Sequence, residues 1–342
     1  MGLPARRRLE RIELLGELTR ELGWVRLSEC VACAPGFNGH DTAPGSFVFD
    51  IDGVLLDTHE SFREVIPQSV NFYLEVVLQE RTRAPLMRAD DVHAYKSAGG
   101  FNNDWDVAEA GLIHALWWSR FPERALSLRK FAGRMAEEGG GVEAARAVLR
   151  EQIGGHEAGR LLVDVDRPGL ERIFKELYVG GARFLEVFGE EPRYYKGVGG
   201  MERETPLAEG PHWEAALDYP LGILTGRIPP ETRLALERLG IEGLVRPERI
   251  VTDDGIYPAK PDPAGLIHLA AALEERPLYY FGDNRDDLST LLSAREKLQS
   301  NDLLFVYCLS GSSDSDSVRW FAENGASIAA VEVKDALEVL VR

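Results

Sequence analysis

Residues 221–342 alternate short apolar runs with amphipathic stretches, and that alternation admits few folds. The runs are "LGILT", "RIVT", "PLYYFG", "LLFVYCLS" and "SIAAVEV". Between them lie "PPETRLALERLG", "KPDPAGLIHLAAALEE", "DDLSTLLSAREKL" and "SDSVRWFAENG", whose apolar residues recur at three- and four-residue spacing. A last helix is expected from Asp335. Regular strand–helix alternation predicts a mostly parallel, doubly wound sheet with helices on both faces. One further apolar run, "FVF" at 47–49, stands far upstream of the others. The stretch between, roughly 60–212, reads as helical almost throughout, with breaks at "SAGGFNND", "EEGGGV" and "IGGHEAG". Pro67 is expected to kink the first of these helices.

The predicted architecture is therefore a Rossmann-like α/β core interrupted after its first strand by a large helical insertion. Its parts are an N-terminal helical extension and loop (1–45), the core (46–58 and 213–342) and the insertion (59–212). A length of 342 residues suits two domains. A net charge of −17 argues against a nucleic-acid partner, which would require a basic face. An anionic small substrate would need local positive charge or a metal. No apolar run approaches the roughly 20 residues of a membrane span, and no membrane partner is expected. The N-terminus "MGLPARRRLERIELLGELTRELGW" has no apolar targeting core, and Glu10, Glu13, Glu17 and Glu21 do not suit a transit peptide. It reads as an amphipathic helix with Leu14, Leu15, Leu18 and Leu22 on one stripe, and a cytoplasmic location is expected. Cys30 and Cys33 form "CVAC" with His40 downstream, but no second cysteine pair completes a zinc set. They read as small residues in a turn.

Open parallel sheets bind ligands beyond the C-terminal ends of their strands. Those ends carry Asp50 and Asp52, then Thr225, Gly226 and Arg227, and then "GDNRDD" at 282–287; Lys260 precedes the helix after the third strand. Each group has an ordinary reading as a cap, a turn or a solvated charge. Their succession at strand ends points instead to one site. Two acids at the end of an apolar run would be costly without a cation. A carboxylate nucleophile, a divalent ion held by carboxylates, a lysine and a hydroxyl are the parts that phosphoryl transfer needs.

The four segments "DIDGV", "ILTGR", "KPDP" and "GDNRDD" resemble, in order, the motifs of the haloacid dehalogenase (HAD) superfamily, in its phosphoglycolate-phosphatase-like branch with an α-helical cap. The resemblance covers roughly 46–58 and 213–342. It implies a HAD-like core and a Mg2+-dependent phosphatase acting on a small phosphorylated metabolite through an aspartyl-phosphate. Asp50 would be the nucleophile and Asp52 the general acid/base. Asp50, the Asp52 carbonyl and Asp283 would bind Mg2+, with Asp287 in its outer shell and Asp286 a lesser candidate. Thr225, the Gly226 backbone, Lys260 and Asn284 would bind phosphate. Val54 departs from the family's frequent threonine. Asp52 argues for phosphate esters over haloacids, because the dehalogenases lack it. A sugar-phosphate mutase and a non-catalytic phosphometabolite-binding protein are the alternatives.

The insertion resembles the family's cap, although it is longer than most. Its segment "YKSAGGFNNDWD" offers Lys96, Asn102, Asn103, Asp104 and Trp105 as specificity residues, or as a turn in which Asp104 or Asp106 caps the next helix. "PRYYKGVGGMERETP" (192–206), with Arg193 and Lys196, reads as a hinge or an anion contact. Trp117 and Trp118 read as packing.

Overall fold

Phe47, Val48 and Phe49 have almost no solvent exposure, as a strand buried on both faces requires. The computed structural model describes residues 3–37, 45–80, 87–101, 103–311 and 314–341. Its strands, in chain order, are β1 (Val25–Ser28), β2 (Val31–Cys33), β3 (Ser46–Phe49), β4 (Leu56–Asp57), β5 (Thr205–Pro206), β6 (Leu221–Leu224), β7 (Ile250–Val251), β8 (Leu278–Gly282), β9 (Leu303–Cys308) and β10 (Ile328–Ala330). Eight form one sheet, ordered β1-β2-β10-β9-β8-β3-β6-β7. The pairs from β10 through β7 are parallel, and β2 joins β10 antiparallel.

Alternate side chains build a core on each face. Phe47, Phe49, Tyr279, Phe281 and Val306 pack on one side. Val48, Leu278, Tyr280, Phe305 and Tyr307 pack on the other. The N-terminal helix Leu3–Glu21 adds Leu15 and Leu18 to this second core, with Leu14 and Leu22 partly buried beside it. Its predicted stripe therefore faces the core.

The sequence carries no expectation of strands before residue 46, yet β1 and β2 form a hairpin there. The alternation in "VRLS" spans only four residues and "VAC" only three, too short for periodicity to mark a strand. Cys30 lies in the hairpin turn and packs with the second core, whereas Cys33 lies on β2 in the first. The two thiols thus belong to opposite faces of the sheet, which is not a chelating arrangement, and only Cys30 occupies the expected turn. His40 lies outside the described residues.

The chain divides into two compact units, Met1–Asp57 with Thr205–Arg342, and Thr58–Glu204. Residues before 46 therefore belong with the α/β unit, and the return to it falls at 204/205, ahead of the expected 212/213. β4 and β5, which lead out of and back into the α/β unit, pair antiparallel. The helix Gly210–Ala216 then buries Trp213 edge-on against Phe49, with ring centroids 5.9 Å apart.

The second unit is helical. Its first helix, Phe62–Phe72, runs through Pro67 and passes into a π-helical turn at Tyr73–Val77. The central helix Asp104–Arg120 is buried along most of its length. Trp117 is fully buried, and Trp118 donates its indole N–H to the Leu126 carbonyl at 2.9 Å, so both pack as expected. No helix among the described residues is long and apolar enough to cross a membrane.

Candidate active site

Strand register brings the predicted residues to one sheet edge. Phe49 is level with Phe281 on β8 and with Ile223 on β6. The residues that follow therefore leave the sheet together. Asp50 donates its backbone N–H to the Phe281 carbonyl at 3.0 Å, and Thr225 donates its own to Val251 at 3.0 Å. Asp283 and Asn284 follow β8, and Asn284 caps the helix Arg285–Leu298.

Carboxylate oxygens of Asp50, Asp283 and Asp287 all lie within 4.8 Å of one another. Lys260 stands among them, with Nζ 2.7 Å from Asp287 Oδ1 and 3.0 Å from Asp50 Oδ2. Asp50 is 3% exposed and its other oxygen accepts the Ile51 N–H at 2.8 Å. Burial pushes its carboxyl up to about 7; Lys260 opposes the shift, while Asp287 and Asp52 add to it. Burial, reinforced by Asp287 and Asp50, likewise holds Asp283 well above the ordinary carboxylate range. Burial alone would lower Lys260, but the charges of Asp287 and Asp50 outweigh it and keep the ammonium protonated.

Asp287 is saturated by donors. Oδ1 accepts from Lys260 and from the Tyr280 hydroxyl, each at 2.7 Å. Oδ2 accepts the backbone N–H groups of Asp283 and Asn284 at 3.2 and 3.3 Å. It therefore fixes the loop and the lysine. Asp283 has fewer donors: among the described residues its carboxylate accepts from the Asn284 amide at 3.2 Å. Asp286 is exposed and lies outside the cluster.

Asp52 shows what the sequence reading missed. Arg227 is 2% exposed and grips both Asp52 oxygens, with Nε at 3.1 and 3.2 Å and Nη2 at 2.5 Å. Its backbone N–H also donates to Thr225 Oγ1 at 3.2 Å, tying the second motif to the first. Arg227 stood among the strand-end residues of the sequence, but nothing there assigned it a partner. Thr225 itself is buried and Gly226 exposed.

Gly53 and Gly311 form a tight wall. Gly53 has φ +73°, and a Cβ on either glycine would overlap the Asp283 carboxylate. No motif marks residue 311.

Once all three are ionised, the carboxylates exceed the single ammonium by two charges in a buried cluster, and all the oxygens are hard donors. That set fits a divalent cation such as Mg2+, with Asp50 and Asp283 the residues that would hold it.

Within the helical unit, the candidate specificity segment has structural partners. The Asn103 side chain caps the central helix by accepting the Asp106 N–H at 2.8 Å, so the cap is Asn103 rather than Asp104 or Asp106. Lys96 pairs with Asp104 at 2.9 Å. Trp105 packs edge-on to Phe174 and under the Lys175 ammonium, 5.6 Å from the ring centroid. Asn102 lies outside the described residues. The 192–206 stretch is anchored by buried Glu176, which accepts the backbone N–H groups of Arg193, Tyr194 and Tyr195 at 2.7–2.9 Å.

A doubly wound sheet with an acid cluster and a buried lysine at its C-terminal edge makes this a Rossmann-like α/β core with its site at the strand ends. The model of the haloacid dehalogenase-like hydrolases matches residues 46–295, and the chain belongs to that family. Among solved structures, a phosphatase (Tt82) from Thermococcus thioreducens is 26% identical, over 82% of this chain and 100% of its own, with a TM-score of 0.55. A structural-genomics target is 17% identical over 87% and 98%, with a TM-score of 0.59. A predicted phosphoglycolate phosphatase from Haemophilus somnus 129PT is 14% identical over 87% and 99%, with a TM-score of 0.46. A comparison with proteins of curated function finds no significant match.

Proposed function

We propose that this hydrolase is a Mg2+-dependent phosphatase of small phosphorylated metabolites that works through an aspartyl-phosphate on Asp50. The observation that carries the reading is the buried lysine set between Asp50 and Asp287, in a cluster whose three carboxylates, when ionised, exceed its one ammonium by two charges. When bound, Mg2+ would neutralise that excess and screen the phosphoryl oxygens from the attacking carboxylate.

The residues then divide the work. An Asp50 oxygen attacks phosphorus as the ester P–O bond breaks, and Asp52, which must enter this step protonated, gives its proton to the departing oxygen. Water next attacks phosphorus and loses a proton to Asp52. The Asp50–phosphorus bond breaks, releasing inorganic phosphate and restoring the carboxylate. Thr225 and the Gly226 N–H hold the phosphoryl group, with Asn284 beside them. Lys260 keeps Asp50 ionised and in place, and Asp287 holds Lys260. Arg227 fixes the direction of the Asp52 carboxylate. The helical unit supplies the contacts that select the metabolite, its segment around Lys96, Asn103, Asp104 and Trp105 being the candidate.

The test is a phosphate-release screen across small phosphorylated metabolites and p-nitrophenyl phosphate, with and without Mg2+. Wild type is expected to turn over at least one substrate only with Mg2+. Asp50→Asn is expected to be inactive while unfolding as cooperatively as wild type. Full activity in that variant, or none in wild type, would overturn the proposal.

A further inference from the structure

The Asp283 carboxylate is enclosed by a loop that none of the four motifs contains. Beyond β9 the chain reaches Ser310, which is fully buried, and Gly311. The Ser310 hydroxyl donates to the Gly53 carbonyl at 2.6 Å, in the turn that follows Asp50 and Asp52. Gly311 lies against the Asp283 carboxylate and close to Gly53, leaving no room for a side chain. Its φ is not in the left-handed region, so glycine is required here for space and not for backbone conformation.

The loop is held from behind by the N-terminal helix. Arg11 is only 7% exposed, and its Nη2 donates to the Ser310 carbonyl at 2.9 Å. Its Nη1 pairs with Glu332 at 3.4 Å. Arg8, one turn earlier, anchors the same helix to Asp335 at 2.6 Å and to Glu332 at 3.0 Å, with no bond to a described residue of the loop. A buried guanidinium on a backbone carbonyl defines position more sharply than apolar packing does, because its donors are directional.

We propose that Arg11 and Ser310 are positioning residues for the metal-binding acids: the N-terminal helix, through Ser310, holds Gly53 and Gly311 against Asp283 and fixes its carboxylate for the cation. This rests on the proposed Mg2+ site. Partners that orient metal ligands typically change metal affinity 10–100-fold when removed. An N-terminal segment outside all four motifs thereby becomes part of the site.

The experiment is calorimetric titration of MgCl2 into metal-stripped full-length protein, with thermal unfolding in EDTA run alongside. Ser310→Ala and Arg11→Met are expected to weaken Mg2+ binding about tenfold. Arg8→Met, which loosens the same helix, is expected to lower thermal stability while keeping Mg2+ affinity within about twofold of wild type. Ser310→Ala removes one hydroxyl, so it serves even if Arg11→Met does not fold. If wild type binds Mg2+ and Ser310→Ala binds equally well, the inference is overturned while the phosphatase reading stands. Equal weakening in Arg8→Met also overturns it, since the effect would then follow stability alone. If wild type itself binds no Mg2+, the proposed site and the inference fall together.

Discussion

Replacing Lys260 with methionine keeps the length of the side chain and removes its charge. In wild type, the ammonium sits 2.7 Å from Asp287 and 3.0 Å from Asp50, and its side chain is 13% exposed. Without it, three clustered carboxylates have no cation among them. Breaking a buried ion pair from one side costs about 3–5 kcal/mol, because the remaining charge stays desolvated. In a unit of about 200 residues each kcal/mol moves the melting temperature by about 2–4 °C, so Lys260→Met should melt about 10 °C lower in EDTA.

The loss should depend on pH in a defined direction. Asp50 already titrates near 7 in the fold, against an ordinary value of 3.8, with Lys260 pulling it down. A carboxyl raised by folding carries no penalty below its unfolded value, where both states are protonated. The penalty grows as pH rises between the two values and is complete above the folded one. Removing the lysine extends that window upward, so the deficit of Lys260→Met should be larger at pH 8 than at pH 5. Thermal unfolding of both proteins in EDTA at the two pH values measures this, and MgCl2 should recover part of the deficit. A variant as stable as wild type at pH 8 without metal would refute the electrostatic account of the cluster.

Other predictions concern the acid/base and the helical unit. Asp52→Asn should lower kcat/KM, which reports only the steps through departure of the alcohol, by about 10²–10⁴-fold on an alkyl phosphate but far less on p-nitrophenyl phosphate, whose leaving group needs no proton. Equal losses on the two substrates would remove Asp52 from the acid role. Asn103→Ala should destabilise the helical unit by about 1 kcal/mol through loss of its cap, while p-nitrophenyl phosphate turnover persists. An unchanged unfolding midpoint would show that the cap contributes nothing.

What the sequence made legible follows from how local each signal is. Asp50, Thr225 and Asp283 end apolar runs, so the strand-end rule finds them, and parallel register then brings them together. Lys260 follows no strand directly and was found only as part of the ordered set. Arg227 stood among the strand-end residues, but its pairing escaped because its partner, Asp52, lies 175 positions away, and pairing at that distance leaves no trace in periodicity. Ser310 and Gly311 escaped for the same reason: their partners are Arg11, Gly53 and Asp283, drawn from three separate regions. The hairpin β1–β2 escaped because its burial comes from joining β10 and not from its own composition. Asn103 and Asp104 were visible as a polar cluster, but the choice between helix cap and substrate contact depends on geometry. The observed bond assigns the cap to Asn103.

The central position of β3 has a consequence for how the protein is made. Both of its neighbours, β6 and β8, belong to the returning half of the chain, the nearer one about 170 residues downstream. At about 5–20 residues per second, the ribosome needs roughly 10–35 s to deliver it. The helical unit is continuous in sequence and can complete its own core during that interval. The strand that leads into Asp50 must wait, its three apolar side chains unpaired. Synthesis itself therefore leaves the Asp50 strand unpaired until the returning half of the chain emerges, and aggregation during translation is the hazard that this topology creates.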